Sequence, residues 1–568
     1  MTSLSPALIE EARAWLADDP NPATQRELQE LLDAAEAGEA GAAARLRDCF
    51  SGLLQFGTAG LRGRMGPGPS RMNTSVVSLA AAGIGAYLAD AVGSARIVIG
   101  FDARHHSREF AETSAQVLTA AGHDVMLMPA PWPTPITAFA VRRLRADAGI
   151  QVTASHNPAA DNGYKVYLGG RAASADGNGV QIVPPADADI AAAISAVGPV
   201  RKIPRAESGW SVLGGEIQGE YVQAIQDVLV EGAPRELSIV HTSMHGVGHD
   251  TVMTALSQAG FLTVHAVGEQ ADADPDFPTV AFPNPEEKGA IDLALAKARQ
   301  VGADLVIAND PDADRCAVAV HDPRAGDWRM LSGDELGALL GVYMLSVKGV
   351  QGTVANSIVS SRWLGAIAAG AGVAAAQTLT GFKWIARTPN LVYGYEEAIG
   401  FCVLPEVVRD KDGISAALAA AQLAAIVKAN GGSLIDLLDQ MAREHDLFMT
   451  NQLSIRVEDL SQIGQMMQRL RVNPPAELNG SPASVTDLSQ GSVDTTGLPP
   501  TDGIVLLAQD ETRVIVRPSG TEPKLKCYLE VVQHLEKTAS REDVTAARQR
   551  GAEALARTAE QIRGVLGA

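Results

Sequence analysis

Beyond its first 50 residues the chain alternates short apolar runs with Ala/Leu-rich stretches of helical spacing, and this commits it to α/β construction. ARIVIGFD (95–102), DAGIQVTAS (147–155), LSIVHTS (237–243), ADLVIAND (303–310), GTVANSIV (352–359) and LVYGYEE (391–397) read as strands. In many of them polar, Gly-containing residues follow the apolar run at once. Ligands of open α/β sheets collect off the carboxyl ends of strands, so chemistry is expected at these exits. Residues 1–50 read as amphipathic helices, with Leu28, Leu31, Leu32 and Ala35 at helical spacing.

A chain of 568 residues exceeds one core, since cores stop growing at roughly 250–300 residues, and about four domains are expected. Boundaries fall in 199–210, 321–328 and 441–448. After the last of these the texture changes. A helix over 459–470, a Pro/Gly/Ser/Thr-rich loop over 473–502, strands at 503–508, 512–517 and 524–532, and a closing helix describe a smaller α+β domain.

The formal net charge of −20 argues against a nucleic-acid or anionic-membrane partner, both of which need a basic footprint. It also means that any bound phosphate must be held by a few Arg and Lys in a concave site. Four widely spaced cysteines, with no CxxC pair, fit a reducing cytoplasm better than a disulfide framework. The acidic N-terminus does not read as a signal peptide. The longest apolar stretch, 414–427, is interrupted by Gln422 and too short to span a bilayer; it reads as a buried helix.

Five segments carry candidate chemistry. In Thr153-Ala154-Ser155-His156-Asn157-Pro158 an apolar strand delivers Ser155 to a turn, and Asn162-Gly163 is expected to turn the chain again before Lys165. Taken alone, Ser155 is a turn serine and His156 a structural histidine. In Asn309-Asp310-Pro311-Asp312-Ala313-Asp314-Arg315, an extended run would project the three carboxylates to one side. Such a cluster repels itself and calls for a hard cation, Mg²⁺ or Ca²⁺. An EF-hand is excluded, because its sixth position is Arg315 and its twelfth His321.

Arg517-Pro518-Ser519-Gly520-Thr521-Glu522-Pro523, with Lys524 and Lys526 beyond it, combines an Arg fork, hydroxyls and a Gly turn into an anion cup. Glu396 and Glu397, at the end of a strand, are acceptors suited to sugar hydroxyls, though a pair of solvated acids reads as well. Phe56–Gly63 is Gly-rich and presents Arg62; a flexible connector is an even alternative.

Together the five segments resemble the α-D-phosphohexomutase superfamily of phosphoglucomutases and phosphomannomutases, in its order along the chain. TASHNP (153–158) and RPSGTEP (517–523) match its phosphoserine and phosphate loops unaltered, and its DGDxDR metal loop is matched with Pro311 in place of Gly. The resemblance implies three related α/β domains with mixed sheets plus a C-terminal TATA-binding-protein-like α+β domain, around a central active-site cleft. The domains are placed at 1–208, 209–328, 329–446 and 447–568.

It further implies phosphorylated Ser155, with Mg²⁺ held by Ser155, Asp310, Asp312 and Asp314. Lys165 becomes the general acid/base, with Arg62 beside the transferring phosphoryl and His156 and Arg315 in the site. Glu396 and Glu397 take the sugar, and Arg517, Ser519, Gly520 and Thr521 its phosphate. The sugar loop departs from the usual GE-x-SG, having Ala398 for Ser and Ile399 for Gly. In this and in FPNPEEKGA (282–290), TGFKWI (380–385) and RDKDG (409–413) it resembles the phosphopentomutase and glucose-1,6-bisphosphate-related subgroup, adding Lys383 and Lys411 as phosphate or sugar contacts.

The expectation is a cytoplasmic phosphosugar mutase, monomer or homodimer, interconverting sugar 1- and 6-phosphates of glucose and/or mannose. A sugar 1,6-bisphosphate would be its intermediate and activator. Phosphopentomutase, sugar-1,6-bisphosphate synthase, metal-dependent phosphatase and non-catalytic sugar-phosphate regulator are the alternatives.

Overall fold

The computed structural model describes residues 4–57, 60–457, 459, 461–519 and 524–567. Contacts divide the chain into two compact units, one made of Met1–Leu229, Arg235–Ala319 and Phe401–Ala421, the other of Val230–Pro234, Val320–Gly400 and Gln422–Ala568.

In the first unit the expected N-terminal helices are Pro6–Asp18, Pro22–Glu36 and Ala42–Cys49; Ser5 and Asn21 cap the first two through their side chains. Leu28, Leu31, Leu32 and Ala35 are buried in a shared cluster with Leu46 and Phe50. A mixed sheet follows. Ala148–Val152, wholly buried, lies between parallel Arg96–Phe101 and antiparallel Asp161–Leu168, and Leu61–Arg64 pairs beyond the latter. A second mixed sheet centres on Leu305–Asn309, parallel to Ser238–Thr242 and antiparallel to Cys316–Asp322. Strands expected at 147–155 and 303–310 therefore end just before Ser155 and Asp310, where the backbone leaves the ladder.

Asn162-Gly163 does not turn the chain. Both residues lie inside Asp161–Leu168, and the turn is made at 155–160. Gly163 is there for space: a Cβ would lie 2.5 Å from the Thr153 carbonyl oxygen and 2.9 Å from that of Leu61. The Asn162 amide donates to the His105 carbonyl and the Ser107 hydroxyl, tying the strand to the exit of Arg96–Phe101.

Among the described residues one unbroken helix, Thr74–Val92, is long and apolar enough to cross a membrane; 61% of that stretch is buried inside the fold, as in a core helix. The stretch 414–427 is the helix Gly413–Ala429. Its buried Gln422 accepts from Val230 N and the Tyr343 hydroxyl, so the polar residue is fully employed. All four cysteines are free and buried.

In the second unit Thr353–Ser357 lies between parallel Ala374–Thr378 and Leu391–Glu396. The C-terminal sheet is antiparallel throughout: Leu447–Arg456, Lys524–Gln533, Arg513–Pro518, Ile504–Ala508, Ser481–Asp487 and Glu477–Leu478, in that order. Helices Ser461–Val472 and Arg541–Leu566 contribute Met467, Leu470, Ile562 and Leu566 to its core. The loop expected over 473–502 thus holds two strands and the short helix Val493–Thr496. Ser481–Asp487 is held by its ladder to Ile504–Ala508 and buries little, so it lacks the apolar alternation that marks a strand.

Asp334, at the start of helix Gly333–Val342, accepts from Ser361 N at 2.7 Å, the Tyr395 hydroxyl at 3.0 Å and the Thr450 hydroxyl at 2.8 Å. Burial pushes its carboxyl up to about 7, against the bond from Ser361 N and with Glu397 and Glu530 adding to the rise. Below the ordinary value of 3.8 folded and unfolded states both hold the proton. As pH rises from there, the folded protein keeps a proton the unfolded chain has released, and stability falls until pH passes about 7. Asp334→Asn is expected to flatten this decline, so its thermal midpoint should drop less between pH 5 and 8 than that of the wild type. Gly163→Ala should destabilise by about 1–3 kcal/mol through overpacking between the two carbonyls; an unchanged midpoint in thermal unfolding would refute that account.

Candidate active site

Ser155 sits three residues beyond strand Ala148–Val152 in the left-handed region, φ 52°. A non-glycine residue there is strained and must be held. Two groups hold it. The Thr153 hydroxyl accepts from Ser155 N at 2.8 Å. The buried Arg104 guanidinium donates to the carbonyls of Ser155 at 2.6 Å, Pro158 at 2.8 Å and Asp161 at 3.1 Å, and to that of Asn157. Arg104 is aimed by Asp102, 3.5 Å from its Nε, and lies over the Phe277 ring at 4.9 Å. The Ser155 hydroxyl donates to Asp310 Oδ2 at 2.7 Å and lies 3.2 Å from His156 Nδ1.

Residues 310–314 are not extended. Ala313 N closes a turn onto the Asp310 carbonyl at 2.8 Å, and Ala313 itself has φ 54°. Pro311 is pinned by Val247 N on its carbonyl, with Gly246 so close that a Cβ there would lie 2.2 Å from Pro311 Cα. The turn still gathers the acids: one carboxylate oxygen from each of Asp310, Asp312 and Asp314 lies within 4.8 Å of the others, and all three residues are buried.

Around this cluster stand cations. Lys165 Nζ lies 2.7 Å from Asp312 Oδ2 and 2.6 Å from Asp314 Oδ2, and Lys411 Nζ 3.2 Å from Asp314 Oδ2. Thr134 donates to Asp312 Oδ2 at 2.5 Å, and Arg315 N to Asp310 Oδ1 at 3.0 Å. Oδ1 of Asp312 and Oδ1 of Asp314 are buried with no hydrogen-bond partner. Buried oxygens left in that state are costly, and an all-oxygen set with spare lone pairs is what a hard divalent cation takes. The residues fit such an ion.

The electrostatics follow from the crowding. Burial, then Asp312 and Asp314, push the Asp310 carboxyl well up. Burial acts against the charged forms of Asp312 and Asp314 as well, yet Lys165 holds both below the usual range. For Lys165 burial presses downward, but Asp312 and Asp314 win and raise it. Burial, reinforced by Arg315 and Arg62, drives His156 well down, so it is neutral.

The first unit therefore brings together Ser155, His156, Lys165, Asp310, Asp312, Asp314, Arg315 and Lys411. Arg62, on Leu61–Arg64, donates to Asn157 Oδ1 at 3.2 Å, beside the serine loop. Lys411, expected as a phosphate or sugar contact, faces Asp314 of the cluster. Arg104 and Thr134 were missed. Arg104 does follow an apolar strand directly, which is the signal that marks the other exits.

The second unit carries the remaining candidates. Glu396 closes strand Leu391–Glu396. Glu397 Oε2 accepts from the hydroxyls of Ser357 and Ser360, and Ile399, where the family has Gly, adopts φ 53°. Arg517 stands on Arg513–Pro518 opposite Lys526 and hydrogen-bonds the Tyr528 phenol; burial, with Glu397 adding to it, pushes that phenol up. Ser519 N donates to the Lys524 carbonyl at 2.9 Å. Lys383 lies on the short helix Phe382–Ile385. Gly520 and Thr521 lie outside the described residues.

Sequence models of the phosphoglucomutase/phosphomannomutase family match in order: alpha/beta/alpha domain I over 53–198, domain II over 219–326, domain III over 332–444, and the C-terminal domain over 455–547. A Haemophilus influenzae protein named "Probable phosphomannomutase" is 44% identical over 463 residues, 81% of this chain and 93% of that one. The phosphopentomutase of Homo sapiens is 36% identical over 583 residues, 92% of this chain and 91% of its own. A crystal structure of a phosphoglucomutase/phosphomannomutase family protein from Burkholderia thailandensis shares the fold, with a TM-score of 0.65 at 19% identity, covering 88% of this chain and 96% of that one.

If the acidic turn holds a hard divalent cation, Asp312→Asn should weaken Mg²⁺ binding by about tenfold or more in calorimetric titration. Unaltered Mg²⁺ affinity in that variant would rule the turn out as the site.

Proposed function

The chain belongs to the phosphoglucomutase/phosphomannomutase family, and we propose that it interconverts the 1- and 6-phosphates of glucose and/or mannose, carrying the moving phosphoryl group on Ser155. The observation that carries this reading is the Ser155 hydroxyl, 2.7 Å from Asp310 at the edge of a buried carboxylate cluster with unpartnered oxygens. A phosphoryl group on that oxygen would lie against the cluster.

Asp310, Asp312, Asp314 and the phosphorylated Ser155 would hold Mg²⁺. When bound, the ion supplies positive charge to the phosphoryl group in transfer. In the transfer the bond from phosphorus to Ser155 Oγ breaks and one to a sugar hydroxyl oxygen forms, giving a sugar 1,6-bisphosphate. Lys165, in its neutral form, takes the hydroxyl proton. Burial and the neighbouring Lys411 favour that neutral form; Asp312 and Asp314 outweigh them while they face its Nζ, and a cation taking their charge would weaken that hold. Arg62 adds charge beside the serine loop. The bisphosphate then binds reversed and returns its other phosphoryl to Ser155.

Arg517, Ser519, Gly520 and Thr521 would take the phosphate that is not in transfer. Glu396 would accept from sugar hydroxyls in either orientation, with Lys383 as a further contact. A pentose substrate is a second reading, supported by the 36% identity to a phosphopentomutase across 92% of this chain and by the altered loop at Ala398 and Ile399. The domain limits at 208, 328 and 446, a cytoplasmic location and a monomer or homodimer are part of the same proposal.

Ser155→Ala should bind sugar phosphate yet lose turnover by roughly 10³-fold or more. Coupled assays on glucose 1-phosphate, mannose 1-phosphate and ribose 1-phosphate, with bisphosphate added, check both this and the sugar. Substantial turnover by Ser155→Ala would sink the covalent scheme.

A further inference from the structure

The segment 271–290, which closes in FPNPEEKGA, packs against the serine loop and against the arginine that holds it. The buried Phe277 ring faces the Arg104 guanidinium, its centroid 4.9 Å from Cζ. Phe277, Met244, Val280 and Ala290 form one apolar cluster, and Ala159 of the serine turn packs on it. The Phe282 ring stands 6.4 Å from that of His156, centroid to centroid. A polar tie reaches the residue after Arg104, where His105 Nε2 lies 2.8 Å from Asp276 Oδ1.

The backbone is strained to put these groups there. Phe277 has φ 47°, and the adjacent pair Met244 and His245 have φ 51° and 61°. Left-handed backbone is rare for bulky side chains and persists only where the surroundings impose it. The His245 carbonyl accepts from Asp274 N at 3.0 Å, the Asp274 carbonyl from Phe277 N at 3.2 Å, and the Phe277 carbonyl from Val280 N at 3.0 Å. His245 is itself buried, with Nε2 2.8 Å from the Thr279 hydroxyl. Val247 N, two residues on, donates to the Pro311 carbonyl. One strained turn, 244–247, therefore bears on the acidic residues directly and on the serine loop through Phe277.

Arg104 depends on that ring. Its two terminal nitrogens are committed to the carbonyls of the serine loop, while Nε makes no hydrogen bond and meets Asp102 only at 3.5 Å. The guanidinium plane is thus set by the aromatic face packed on it, and the carbonyls, with Ser155 among them, follow the plane.

We propose that Phe277 and Arg104 are positioning residues that keep the phosphoryl group on Ser155 for the sugar hydroxyl rather than for water. The inference rests on the mutase reading above. Transfer to a sugar needs Ser155 Oγ, phosphorus and one hydroxyl oxygen in line, and small displacements slow it steeply. Water has no fixed place and adapts to a displaced phosphoryl group. In that competing reaction a water oxygen bonds to phosphorus, the bond to Ser155 Oγ breaks, Oγ takes one of the water protons, and inorganic phosphate leaves. A loosened serine loop therefore loses transfer faster than it loses hydrolysis.

The test is a partition. Wild type, Phe277→Leu and Arg104→Lys, each with Mg²⁺, are charged with radiolabelled glucose 1,6-bisphosphate and freed of excess label. Each is then mixed with glucose 1-phosphate, mannose 1-phosphate or ribose 1-phosphate, whichever the wild type turns over fastest. The label is divided between sugar bisphosphate and inorganic phosphate. The ratio of sugar to inorganic label should fall about fivefold or more in both variants. That ratio does not depend on how much of a sample is folded, so an unchanged ratio, however far total activity drops, would reduce both residues to supports of the fold and overturn the proposal. Folded variants that take no label at all would overturn it too, because a positioning residue slows transfer without abolishing it. Should Phe277→Leu fail to fold, Arg104→Lys decides alone, since it keeps the charge but not the fork. A wild type that takes no label, or passes it to water alone, would instead overturn the mutase reading itself.

Discussion

Three buried carboxylates whose oxygens converge within 4.8 Å cannot stand together without positive charge, and much of the first unit is arranged to supply it. Lys165 comes from the middle of a strand, Lys411 from a loop far along the sequence, and Arg315 from the turn itself. Arg104 anchors the serine loop that leans on Asp310. In a chain of net charge −20 these cations are concentrated where phosphate would otherwise be repelled. The same crowding biases protonation, pushing Asp310 toward its neutral form and Lys165 toward its ammonium form.

The strands that could be read from the sequence were legible because burial on both faces leaves continuous apolar runs such as LVIAN and RIVIG. Among those that escaped are strands with a weaker apolar signature. Leu447–Arg456 places Thr450, Asn451, Gln452 and Ser454 among its apolar residues, and Ser481–Asp487 is mostly exposed along an outer strand of its sheet. Asn162-Gly163 misled for the opposite reason. A dipeptide that favours turns was chosen there because nothing larger than glycine fits between the Thr153 and Leu61 carbonyls.

The three clustered acids and Ser155 were legible as candidate chemistry because their spacing and strand exits are local. Their supports were not. Arg104 reaches carbonyls more than 50 residues away, Thr134 meets Asp312 across 178 residues, and Lys411 joins Asp314 only through the fold. The extended reading of 310–314 failed because Ala313 enters the left-handed region, held by Val247 and Gly246, which the run's own sequence does not reveal. Nor does the local sequence reveal that Ser357 and Ser360, from a different strand exit, hold one carboxylate oxygen of Glu397.

Phe401–Ala421 belongs to the first unit although the chain on either side of it builds the second. It brings Lys411 to Asp314, Asp410 to the Tyr167 hydroxyl and Asp412 to the Tyr221 hydroxyl, all buried. A nascent chain that folds from its N-terminus as it is made would reach residue 319 with those phenols unpaired and the carboxylates one cation short. The acidic turn cannot be completed until a further hundred residues or so have left the ribosome, so its assembly is timed by synthesis as well as by energy.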